Sequence, residues 1–149
     1  MRDMDILTLT PQHSMWASVA DYADACSWRA GPYLAKLMRE DGFSGWERIF
    51  AAVENGKIMG YCTLAARDCV PNVDYTPYIG FMFVGELYRG ARLSEQMIRA
   101  ALSHAKVLGF STVYLVSGEQ GLYEKYGFRK LEERPDAWGN MEQIFSIFI

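Results

Sequence analysis

Histidine and cysteine are scarce in this sequence, with two of the first and three of the second in 149 residues. Cys26, Cys62 and Cys69 form no CxxC pair and have no histidine beside them. That excludes a zinc-ribbon spacing and offers no disulfide framework, so they read as free thiols of a cytoplasmic protein. No apolar run approaches the ~18 residues of a transmembrane helix, and no membrane partner is expected. Met1-Arg2-Asp3-Met4-Asp5 is too acidic for the start of a secretory leader. Neither GxxxxGK[ST] nor GxGxxG occurs, which removes the P-loop and the dinucleotide fingerprint. Positive charge is not in excess either: Lys+Arg number 15 against 18 Asp+Glu, a net of −3, which argues against nucleic acid as the main partner. No repeat or Pro/Gly-rich linker divides the chain, so residues 1–149 read as one domain.

Half of the residues are hydrophobic and 22% are charged, a composition able to build a core. Met4 to Thr10 alternates as a short strand, and Thr10-Pro11 has the form of a helix start. Met15, Trp16, Val19, Ala20 and Ala23 recur at helical spacing, and a second helical stretch around Gly31-Pro32 runs through Tyr33, Leu34, Leu37 and Met38. Asn55-Gly56 between two apolar runs signals a hairpin. Pro77 to Val84 is nearly all apolar and reads as a central strand buried on both faces. Leu93, Met97, Ile98, Ala101, Leu102, Ala105 and Leu108 mark one face of a helix that closes at Gly109. Thr112–Val116 is a strand and Glu119–Tyr126 a helix. Phe128–Leu131 and Gln143–Phe148 close the chain as strands. The order β-α-α-β-β-β-α-β-α-β-β predicts an α+β fold with a mixed, mostly antiparallel sheet and helices on it.

The charge is uneven. Residues 1–88 carry 7 Lys+Arg against 11 Asp+Glu, whereas residues 89–149 carry 8 against 7. Arg89, Arg92, Arg99 and Lys106 cluster where the apolar strand hands over to the long helix, a local basic spot that suits a small anion. The junction reads Val84-Gly85-Glu86-Leu87-Tyr88-Arg89-Gly90-Ala91-Arg92-Leu93-Ser94. A helix N-terminus presents N–H groups without internal partners at the positive end of its dipole, so a strand, a glycine turn and a helix start make an anion cradle. By itself the junction is equally readable as an ordinary turn with a solvated basic face.

Together with Leu122-Tyr123-Glu124-Lys125-Tyr126-Gly127-Phe128, this stretch resembles the GNAT superfamily of acyl-CoA-dependent N-acyltransferases. The motif-bearing part runs from about Tyr78 to Leu131. The resemblance implies a GNAT-like fold, with helices on both faces of the sheet, and acetyl-CoA as cosubstrate with no metal. It implies a coenzyme pyrophosphate cradled by Arg89-Gly90-Ala91-Arg92-Leu93-Ser94. Arg92 stands where the family has its central glycine and Ser94 where it has Gly or Ala, so both are expected to meet phosphate with side chains as well. It implies that Met82, Phe83 and Val84 offer the strand that the pantetheine arm lies along, with Ser117 able to reach the coenzyme. Tyr123 takes the position that protonates the leaving thiolate; Tyr126 is its competitor.

A general base is less readable. Asp68, Asp74, Glu86 and Glu119 are candidates, each also an ordinary loop carboxylate, and a water relay would serve as well. His13 and His104 lie in helical stretches and read as structural. Trp28 and Trp46 fall where the resembled family shapes its acceptor pocket, although core packing is the common fate of tryptophan. The expected activity is acetyl transfer to a primary amine of a small molecule or peptide by direct attack in a ternary complex, in a monomer or homodimer. A non-catalytic acyl-CoA-binding or regulatory domain is the alternative. A toxin-like or protein-modifying acetyltransferase is a third reading, disfavoured for RNA by the acidic first half.

Overall fold

The computed structural model describes residues 4–43 and 45–149. Its strands are β1 (Met4–Leu9), β2 (Arg48–Glu54), β3 (Lys57–Ala65), β4 (Tyr78–Val84), β5 (Thr112–Ser117), β6 (Arg129–Pro135) and β7 (Met141–Phe148). Its helices are α1 (Trp16–Ala25), α2 (Gly31–Arg39), α3 (Leu93–Val107) and α4 (Leu122–Lys125), in the expected order, with a 3-10 turn at Glu86–Tyr88. The strands form one sheet ordered β1-β2-β3-β4-β5-β7-β6, antiparallel throughout except for β4 beside β5.

The local causes are readable. Asn55 and Gly56 take φ of 52° and 76°, the two positive values that let a two-residue turn follow strand twist, and β2 pairs with β3 across it. Leu93, Met97, Ile98, Ala101, Leu102 and Ala105 form the buried stripe of α3. That helix ends at Gly109 with φ of 98°, and Phe110 N–H reaches back to the Ala105 carbonyl at 3.1 Å, satisfying an otherwise orphaned acceptor. The α3 stripe packs with Phe50, Leu64, Ile79, Leu115 and Phe145 on one face of the sheet. Val19, Ala23, Leu34 and Met38 of α1 and α2 close the other face over Ile49, Tyr61 and Phe83.

Three expectations are corrected. Thr10-Pro11 does not start a helix; residues 10–16 turn instead, with His13 N–H on the Thr10 carbonyl at 2.9 Å and Trp16 N–H on the His13 carbonyl at 3.1 Å. α1 begins at Trp16, where an apolar stripe first has something to cover it, and the Trp16 indole N–H ties it to the Met38 carbonyl at 3.1 Å. The expected helix over Glu119–Tyr126 shrinks to α4, because Gly121 at its start has φ of 84° and residues 118–120 are exposed. The strand through Pro77–Val84 is not buried along its whole length; Tyr78, Ile79 and Phe83 are buried. Gly80, Phe81, Met82 and Val84 are half-buried, because the neighbouring strand leaves them.

Candidate functional site

β4 and β5 pair only at Tyr78 with Tyr114 and at Ile79 with Leu115, although both strands continue. The cause lies on the far edge of β4. Tyr61 pairs with Phe83 but Thr63 with Gly80, so β4 carries one extra residue around Phe81-Met82. A bulge of this kind bends the strand that holds it. Phe81 has φ of 46°, costly for a bulky side chain, and is held by Trp28 and Tyr33, whose rings lie 6.2 and 6.1 Å from its own. A gap opens between β4 and β5 as a result.

The register shows which backbone groups face that gap. Gly85 N–H donates to the Met59 carbonyl at 2.8 Å, so Gly60 and Val84 are a non-hydrogen-bonded pair. Val84 N–H and C=O then point away from β3, into the gap, and by alternation so do those of Met82. Close approach on the β3 side depends on Gly60, where a Cβ would stand 2.6 Å from the Phe83 carbonyl oxygen. Arg89 Nε donates to the Val84 carbonyl at 3.0 Å, and its guanidinium lies 5.7 Å from the centre of the Phe83 ring. The strand's open carbonyl therefore carries a donor from the chain itself.

Past the 3-10 turn, Gly90 and Arg92 both have positive φ, 88° and 59°. Alternating signs of φ through Arg89-Gly90-Ala91-Arg92 turn successive amides toward one side, ahead of the unpaired N–H groups at the start of α3. Leu93 anchors that start by burial. The Arg92 guanidinium is bound to Glu95, with Nε and Nη2 at 2.7 and 2.6 Å from Oε1, and Arg99 reaches the other oxygen at 3.5 Å. Arg92 thus holds the left-handed backbone that glycine adopts freely, while its side chain is engaged on the first turn of the helix. The Ser94 hydroxyl is 3.0 Å from that of Tyr126, which joins α3 to the end of α4.

At the other end of the gap lies a cavity of about 620 Å³. It is lined by Met82 of β4, Val116 and Ser117 of β5, Tyr123 of α4, and by Trp28, Gly118, Glu119, Gln120 and Glu142. Tyr123 is buried against Tyr126, Phe128 and Phe145. Burial pushes its phenol up to about 12, the Glu119 carboxylate adds to that, and a hydrogen bond with Ser117 opposes it. The phenol is therefore loaded with its proton across the neutral and mildly basic range. Ser117 Oγ also accepts from Glu119 N–H at 3.0 Å. Gln143 Nε2 donates to the Ser117 and Glu119 carbonyls, both at 3.1 Å, and so shapes this corner of the cavity.

The structure thus brings Met82, Ser117 and Tyr123 to one cavity and places Val84, Arg89, Gly90, Ala91, Arg92, Leu93 and Ser94 along the path leading from it. Phe83 turns its ring to the other face of the sheet, among Tyr22, Trp28 and Tyr61. Of the four carboxylates read as base candidates, only Glu119 lines the cavity. Glu86 accepts from the Ser27 hydroxyl and fastens the α1–α2 loop, and Asp74 is exposed. Asp68 covers Gly80, where a Cβ would meet its Oδ2 at 2.6 Å, and accepts from Cys69 N–H at 2.6 Å. His13 Nδ1 accepts from Met15 N–H at 3.0 Å, and His104 stands beside the Phe50 ring. Trp46 packs on Phe110 with ring centres 5.0 Å apart, half-buried against the core, whereas Trp28 reaches the cavity. Glu142 was not legible as a site residue: it sits in an ordinary alternating strand, and the β5–β7 pairing, with Ser117 opposite Gln143, brings it here. Among the described residues, no group of three His, Cys, Asp or Glu could hold a metal ion, and no helix is long and apolar enough to cross a membrane.

A family model described as Acetyltransferase (GNAT) family matches residues 15–128. No protein of curated function matches the chain in sequence. Solved structures show the same fold. A GNAT family acetyltransferase from Elizabethkingia anophelis with acetyl-CoA bound superposes with a TM-score of 0.68 at 16% identity, covering 99% of each chain. A GNAT family acetyltransferase from Streptococcus pneumoniae gives 0.68 at 16% identity, covering 99% of this chain and 100% of that one. An aminoglycoside 6'-acetyltransferase type Ii gives 0.74 at 16% identity, covering 97% and 96%.

Proposed function

The chain belongs to the acetyltransferase (GNAT) family, and from that premise we propose that it moves an acetyl group from acetyl-CoA to a primary amine within a ternary complex. The observation that carries this reading is the gap between β4 and β5, with Val84's open amide and carbonyl along it, the Gly90–Ser94 turn beyond its end and Tyr123 at its cavity. Those features fit acetyl-CoA in three parts. The N–H groups from Gly90 to Ser94 and the α3 dipole suit a pyrophosphate, and Val84 and Met82 suit an amide-bearing arm laid down as an extra strand. The cavity suits the acetyl end. Acetyl-CoA supplies an activated acyl thioester when bound.

The residues of the chain position and polarise. The Met82 and Val84 backbone groups hold the arm in register, and an open strand amide can polarise the thioester carbonyl. Attack forms a C–N bond and breaks the C–S bond, and the departing sulfur takes the proton of Tyr123. The phenolate left behind recovers a proton from the newly acylated nitrogen, so the site returns to its starting state. Arg89 must give up the Val84 carbonyl when the arm takes it, and its guanidinium is then free for phosphate oxygens.

A thiol-release assay with acetyl-CoA and a panel of amino acids, diamines, aminoglycosides and peptides tests the reading. Release that depends on the amine supports it. Acetyl-CoA binding without release from any amine would favour the non-catalytic acyl-CoA-binding domain, for which Arg92 in a left-handed backbone is the observation in favour.

A further inference from the structure

The part of the cavity lining that lies outside the coenzyme path's residues has a chemical character of its own. It presents two carboxylates, Glu142 and Glu119, and the Trp28 indole, and no Lys, Arg or His lines it. Glu142 is half-buried on β7, whereas Glu119 is exposed at the rim. We propose, building on the transfer reading above, that this wall selects an acceptor with two cationic centres: Glu142 takes the proton from the ammonium that will attack, and Glu119 with Trp28 holds the second charge.

The surroundings of Glu142 support this. Ala137 N–H donates to the Cys69 carbonyl at 3.0 Å, which pins the β6–β7 turn onto the β3–β4 loop beside it. Asp136 in that turn accepts from Trp138 and Asn140 N–H at 2.8 and 2.9 Å. The charged neighbours that raise Glu142 are both acidic, Asp136 and Asp68, and the Cys69 thiol shares their company. Arg134 is opposite Glu142 in the β6–β7 register, but its guanidinium is on Glu132 at 2.6 Å. From the α4 side Glu119 and Tyr123 face the same space. Among the described residues no Lys, Arg or His lines the wall, so a cation is the ligand that relieves it.

Burial and the two acidic neighbours raise the Glu142 carboxyl from its ordinary value, which makes it the better proton acceptor. The balance closes. R–NH3+ gives one proton to Glu142 and attacks as R–NH2; the C–N bond forms as the C–S bond breaks. Tyr123 protonates sulfur and is reprotonated from the new amide nitrogen, and Glu142 releases its proton to solvent.

The test compares α,ω-diaminoalkanes of two to six carbons with 1-aminoalkanes of the same lengths, by thiol release at saturating acetyl-CoA and by calorimetric binding to the free protein. At least one diamine is expected to exceed its monoamine more than tenfold in kcat/KM and to bind more tightly. Glu142→Gln should lower kcat at least a hundredfold and remove the rising limb of the pH–rate profile. Glu119→Gln should raise KM for the diamine severalfold, and by more than it raises KM for the monoamine of the same length. Monoamines equal to diamines throughout, or a Glu142→Gln variant with wild-type turnover and pH profile, would overturn the proposal while leaving acetyl transfer intact. No release from any amine, by a protein that still binds acetyl-CoA, would overturn both.

Discussion

The coenzyme path and the acceptor wall of the cavity are made of different material. The coenzyme wall is backbone from one stretch of chain, Met82 to Ser94, and its working groups are amides and carbonyls. The acceptor wall is side chains from three separate places, Trp28, Glu119 and Glu142. A backbone site leaves a contiguous trace in sequence, because the turn that aims the amides needs particular residues in a row. A side-chain site assembled by folding leaves none. Perturbing the first wall should therefore change coenzyme binding, and perturbing the second should change acceptor use.

Tyr123 stands where the walls meet, and changing it gives the largest expected effect. Tyr123→Phe keeps the ring among Tyr126, Phe128 and Phe145 and removes only the proton donor. Turnover should fall by about 10²–10⁴ with KM for acetyl-CoA nearly constant, measured by thiol release. Because the phenol sits at about 12, its acid form persists well above its unfolded value near 10. The wild-type rate should consequently show no falling limb from this group below about pH 10.

Gly80→Ala acts on the acceptor side indirectly, through Asp68, a charged neighbour of Glu142. Its Cβ would displace the Asp68 carboxylate, so KM for the amine should rise severalfold while the Kd for acetyl-CoA stays within about twofold. Thermal unfolding should show a loss of about 1 kcal/mol, because one short side chain can turn away. A change in acetyl-CoA affinity as large as that in amine use would break the separation of the walls.

Smaller effects sharpen the coenzyme wall. Tyr126→Phe removes the Ser94 partner at 3.0 Å and should cost about 0.5–1.5 kcal/mol in stability, with turnover within about twofold. If Tyr126→Phe lost turnover and Tyr123→Phe did not, the proton donor would be the other tyrosine. Arg92→Gly should be the mildest. Relief of the left-handed backbone outweighs the lost surface pair with Glu95 and the added unfolded-state freedom by about 0.5 kcal/mol, so the melting temperature should rise slightly. Acetyl-CoA affinity should move less than about threefold; a tenfold loss would show that the side chain holds phosphate after all.

The element order, the α3 stripe, the Gly109 stop and the Asn55-Gly56 turn were legible because each rests on local chemistry. The turn from Arg89 to Ser94 and Tyr123 were legible through the motif they form. The gap between β4 and β5 was not, since it depends on a bulge at Phe81 that a run of apolar residues does not announce. Thr10-Pro11 misled because a good cap is no use where nothing covers the first turn. Glu142 was hidden for a different reason. It stands in an alternating strand, and its significance arises only when β7 lies beside β5 and the turn holding Asp136 docks on Cys69.

The central claim is that this chain binds acetyl-CoA with its backbone along β4 and at the start of α3. Residue-resolved amide hydrogen exchange, with and without saturating acetyl-CoA, tests it most directly. The account predicts slowed exchange at Val84 and across Gly90 to Ser94, with little change from Asp136 to Asn140. Acetyl-CoA that binds and leaves the amides of Val84 and Gly90–Ser94 unprotected would contradict it.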